Sequence, residues 1–81
     1  MLQNREEIFA YMNYIGNLNF CEVKSEEFTI IVNGLYNLSV EVKYDNDLHA
    51  IVKNLLETTI NKIKEEAEKR MAAIAEIAVM M

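Results

Sequence analysis

FTIIVNGLYNLSVEVKY, residues 28–44, decides how this chain is read. Asn33-Gly34 stands near its middle, and that dipeptide supplies positive φ at both central positions of a type I′ turn, whose twist matches paired strands. Before it, Phe28, Ile30 and Val32 share one face of an extended segment. After it, Tyr36, Leu38, Val40, Val42 and Tyr44 alternate with Asn37, Ser39, Glu41 and Lys43. The spacing predicts a hairpin, and alternation this regular predicts a sheet with one face covered and the other in water. Working outward, Asn19–Val23 reads as a further strand and Lys24-Ser25-Glu26-Glu27 as a polar turn, so a three-stranded antiparallel sheet is expected over 18–44. Ahead of it, Asn4 is an N-cap with Glu7 three positions on, and Ile8, Tyr11, Met12 and Ile15 recur at helical spacing. Gly16 offers a left-handed stop, giving a helix over 4–15. Beyond the sheet, Asp45-Asn46-Asp47 caps a second helix with a stripe of Leu48, Ile51, Val52, Leu55, Leu56, Ile60 and Ile63. No glycine or proline interrupts residues 47–81, so that helix is expected over 47–80. The expected fold class is α+β, in the order αβββα, as one domain over 1–81.

A helix that long measures about 50 Å, whereas strands of this length reach only about 25 to 30 Å. Its far end, MAAIAEIAVMM at 71–81, carries a single charge, Glu76, and has no platform in its own chain. The stripe continues through Ile60, Ile63, Ala67, Met71, Ile74, Ile77, Ala78 and Met81 at a spacing near that of coiled-coil seams, imperfect at Ala67 and Arg70. Residues 65–81 are therefore expected to be an oligomerisation segment, pairing the chain with copies of itself as a homodimer or higher oligomer. Two alternatives stand beside this: a helix broken near Glu65-Glu66 that folds back over the domain, and a tail that orders only on a foreign partner.

Composition removes several functions. With 52% apolar and 26% charged residues the chain should fold, and at 81 residues it is too small for a large internal pocket. Its net charge of -5, with no run of bases longer than Lys69-Arg70, supplies no phosphate-neutralising stripe, so nucleic acid is not an expected direct partner. The apolar ending is shorter than the roughly 20 residues a bilayer span takes, so no membrane partner is expected either. The one cysteine, Cys21, and the absence of a signal-peptide pattern give a cytoplasmic expectation; Cys21 itself reads as a small buried residue in a strand. His49 reads as an exposed first-turn residue with no nucleophile beside it. Asp45-Asn46-Asp47 fails as a calcium loop, since Ala50 stands where glycine is needed and Leu56 where the closing acid is needed. No phosphate loop and no zinc set exist. No enzyme activity, metal or cofactor is expected.

What remains is surface. Glu22, Glu26 and Glu27 group around the expected first turn, and Glu41, Asp45 and Asp47 around the end of the third strand, giving a candidate acidic surface for a basic protein partner. Solubility is the plainer account of the same charges. The stretch Phe28–Gly34, the segment through Tyr44, the Asp45-Asn46-Asp47 turn and the helix from His49 to Leu56 resemble, in layout, small acidic phage anti-CRISPR proteins. That resemblance implies a non-enzymatic counter-defence inhibitor that occludes a functional surface of a host protein in the host cytoplasm. Two alternatives remain: an oligomer that sequesters a nucleotide signal at a subunit junction, with Lys43, Tyr44, Lys69 and Arg70 as its candidates, and a purely structural assembly module.

Overall fold

The computed structural model describes residues 4–80, and within them it contains three helices: α1 (Arg5–Gly16), α2 (Ser25–Glu41) and α3 (Asn46–Met80). Among the described residues there is no strand. The expected α+β class, the sheet over 18–44 and the hairpin at Asn33-Gly34 are therefore corrected: residues 25–41 form one helix, with Asn33 and Gly34 in its middle. The reason lies in a second pattern within the same residues. Phe28, Ile31, Leu35, Leu38 and Val42 recur at three- and four-residue intervals, a helical stripe. Leu35, Leu38, Phe28 and Val42 are all buried, whereas Tyr36, Val40 and Tyr44, which the alternating pattern would place inside, lie exposed. Burial of the helical stripe outweighs the turn preference of Asn-Gly, which costs a helix only about 1 kcal/mol at the glycine. No described glycine has positive φ, so neither Gly16 nor Gly34 uses the freedom it was credited with. Gly34 serves close approach instead: a methyl group there would run into the Tyr11 hydroxyl.

Local chemistry sets the helix ends. Asn4 Oδ1 accepts from the Glu7 backbone N–H at 2.8 Å and caps α1. At the other end the stop comes from Asn17, not from a left-handed Gly16. Asn17 donates its backbone N–H to Asn13 O at 3.1 Å and its side-chain amide to the same carbonyl at 2.8 Å. Asp45 starts α3, its Oδ1 accepting from Leu48 N–H at 3.1 Å while its carbonyl accepts from His49 N–H at 2.8 Å.

The core has two parts. Ile8 and Met12 of α1 meet Leu38 and Val42 at the end of α2 and Leu48 and Val52 at the start of α3, with Tyr11 and Leu55 packed against them. Toward the other end, Phe20 and Val23 of the α1–α2 connection pack on Phe28, with Ile63 of α3 beside them. Cys21 of that connection is exposed rather than buried. The Arg5 guanidinium ties the start of α1 to the α2–α3 corner through Asp45, 3.0 Å away at the surface.

Candidate interaction surface

Arg70 marks where the body of the molecule stops. Its guanidinium lies 4.9 Å over the Phe28 ring and donates to Phe20 O (3.1 Å), Val23 O (2.6 Å), Ser25 Oγ (2.6 Å) and Glu66 Oε1 (3.2 Å). The fork geometry of arginine is what lets one side chain close the α1–α2 connection, the first turn of α2 and its own helix together. Arg70 is thus a clamp on its own chain, and its departure from the apolar seam expected of α3 has this cause.

Past the clamp, α3 continues without a break. Glu65 and Glu66 lie within the one helix Asn46–Met80, so the fold-back alternative is not the form adopted. Eighteen residues make five turns, so Ile77 points the same way as Thr59, which is 1% exposed, yet Ile77 is 59% exposed because no body remains beneath it. Met71 (71%), Ile74 (67%) and Val79 (86%) are exposed too. The overhang from residue 71 to residue 80 extends about 15 Å.

The residues expected at an oligomer seam divide accordingly. Ile63 packs inside the chain against Phe20, Val23 and Phe28. Ile60 and Ala67 are half-buried, and Met71, Ile74 and Ile77 are in solvent. The Ala78 side chain and Met81 lie outside the described residues.

The six acids proposed as a partner surface are not brought together. Glu22, Glu26 and Glu27 sit at one end of α2 and Glu41 at the other, about 20 Å away along the helix. Glu26 and Glu27 occupy the first turn of α2 and Asp47 that of α3, where carboxylates offset the partial positive charge of the helix start. Asp45 is held by Arg5 and by its capping role.

Among the hollows on the bundle's surface, two have mainly apolar walls. One, of about 420 Å³, lies between α1 and α2 and is lined by Tyr11, Tyr14, Ile15, Ile30 and Ile31. Burial raises the Tyr11 phenol above its ordinary pKa of 10.0, with the neighbouring Tyr14 adding to the shift. The other, of about 380 Å³, lies between α2 and α3 and brings together Tyr36, Val40, Lys43, His49, Lys53 and Leu56. His49, expected to be exposed, is half-buried, and its Nδ1–H donates to Ser39 O at 3.1 Å. Of these residues, the sequence offered Lys43 as a ligand candidate. A helical reading of 28–44 would have put Tyr36, Val40 and Lys43 on one stripe by their four-three spacing, facing the stripe of His49, Lys53 and Leu56 that the expected second helix already carried at the same spacing.

Among the described residues no cluster of histidine, cysteine and acids could hold a metal ion, and no helix is long and apolar enough to cross a membrane. Comparison with protein-family models, with curated proteins and with solved structures finds no match.

Proposed function

We propose that this chain is a non-enzymatic binding protein that pairs with a second copy of itself through the overhang of α3, working in the cytoplasm as a small helical assembly that covers a protein partner's surface. The observation that carries the reading is the row Met71, Ile74 and Ile77 on one face of the overhang, left in solvent past the last turn that packs on the body, with Val79 exposed on another face. Burying such side chains is worth about 1.5 to 3 kcal/mol each, so two overhangs together contribute on the order of 15 kcal/mol. That matches the cost of immobilising two molecules, about 4 to 15 kcal/mol. A second copy is the favoured occupant because the overhang has length, apolar row and few charges suited to antiparallel pairing with itself about a two-fold axis.

The phage anti-CRISPR resemblance rested on an αβββα layout whose sheet is absent among the described residues, so that layout does not support the inhibitor role. Sedimentation equilibrium from low-micromolar to millimolar protein is expected to show a rise from one chain toward two. Ile74→Glu with Ile77→Glu is expected to abolish that rise while leaving the helical circular dichroism unchanged. A single-chain mass at every concentration overturns the reading.

A further inference from the structure

We propose that the hollow between α2 and α3 is a binding site for a small phosphate monoester carrying a flat aromatic group, with a nucleoside monophosphate as the representative ligand. Four observations converge on it. First, the chain carries thirteen acids against eight Lys and Arg and one His, yet the walls of this hollow hold Lys43, Lys53 and His49 and no carboxylate. Second, both ammonium groups lack a carboxylate partner: among the described residues neither lysine forms an ion pair, not even Lys53 with Glu57 one turn away, and Lys43 Nζ rests 5.0 Å over the exposed Tyr44 ring. Third, His49 is oriented. The Ser39 carbonyl can only accept, so Nδ1 carries a proton, and Nε2 is left to accept from a ligand hydroxyl in the neutral ring or to donate to a phosphate oxygen in the imidazolium. Fourth, the half-buried Leu56 and the exposed rim of Tyr36 and Val40 supply an apolar surface against which a planar ring can lie.

The size agrees with that class. About 380 Å³ falls at the small end of the range for small-molecule sites, roughly 300 to 1,000 Å³, and the lining has the usual makeup of apolar walls with a few convergent polar groups. Lysine serves phosphate as a compact point charge, and two unpaired ones beside an oriented imidazole suit a dianion better than a carboxylate. A nucleic-acid backbone needs a stripe of such charges, and the -5 net charge argues against one. The site lies within one chain and is separate from the α3 overhang, so it stands or falls apart from the self-association proposed above.

The test is titration of the full-length protein with AMP, with adenosine and inorganic phosphate as separate arms, followed by the His49 and Tyr36 side-chain resonances in solution NMR. AMP is expected to move both resonances saturably, inorganic phosphate to move His49 more weakly, and adenosine to move neither appreciably. Lys43→Met and Lys53→Met keep the aliphatic stems in place and remove the charge; each is expected to weaken AMP binding by about tenfold, the loss of one charge-assisted contact. The Ile74→Glu/Ile77→Glu chain is expected to bind AMP unchanged. Three results overturn the assignment: no saturable shift at millimolar AMP, equal affinity for inorganic phosphate and AMP, or binding that survives both lysine substitutions in chains whose circular dichroism shows them folded.

Discussion

Arg70 shows how much of this structure rests on single side chains. It satisfies two carbonyls of the α1–α2 connection, a serine hydroxyl and a carboxylate, and it covers an aromatic face. Arg70→Met keeps the stem over Phe28 and removes every donor. The expected loss is about 2 to 4 kcal/mol, read as a lower urea midpoint, with Arg70→Lys recovering only part of it because an ammonium cannot reproduce the fork. A midpoint unchanged within error would show the clamp to be ornamental. Gly34 and Tyr11 form a second residue-scale pair. Gly34→Ala adds helix propensity of up to about 1 kcal/mol but pushes on the Tyr11 hydroxyl, so the substitution is expected to stabilise more in a Tyr11→Phe background than in the native one. Additive effects in the double-mutant cycle would mean that the ring moves aside freely. Tyr11 also sets an alkaline limit. Its phenol has a raised pKa in the folded state, so its contribution to stability is fully present below the unfolded value of 10.0 and is lost as pH rises through the folded value. The melting temperature is expected to fall as pH rises from 10.0 through the folded value, less steeply in Tyr11→Phe.

At the scale of elements, α1 was legible from its capping asparagine and its apolar period, and α3 from its cap and its unbroken stripe. α2 was not. Residues 28–44 satisfy a period of two through Tyr36, Leu38, Val40, Val42 and Tyr44, and a period of three and a half through Phe28, Ile31, Leu35, Leu38 and Val42. Local turn chemistry favoured the first. The decision belongs to tertiary packing, because only the second lets α2 lie along α3 and bury Leu35 completely. The same misreading hid the α2–α3 hollow, since strand geometry puts Tyr36 and Val40 on the core face instead of at its rim. It also assembled an acidic surface from residues that the helix holds apart. A direct check is available: the infrared amide I band is expected to lack a strand component, and a clear one would restore the sheet.

The whole molecule measures 53 × 17 × 16 Å with a radius of gyration of 15.5 Å, where a compact chain of this length would have about 12 Å. The excess is α3, which at 35 residues spans about 52 Å and sets the long dimension by itself. X-ray scattering at low concentration is expected to return the elongated value for a single chain. Joined end to end through the overhangs, two chains are expected to lengthen the maximum dimension markedly with little change in cross-section. A compact globule at any concentration would contradict both forms.

Because the overhang and Arg70 share one uninterrupted helix, whatever grips the free end also quiets the fraying of that helix. A steadier rod holds its guanidinium longer against the Phe20 and Val23 carbonyls. Occupancy at the tip is therefore expected to register at a distance, as slower amide exchange in the 17–24 connection, which the visitor never touches.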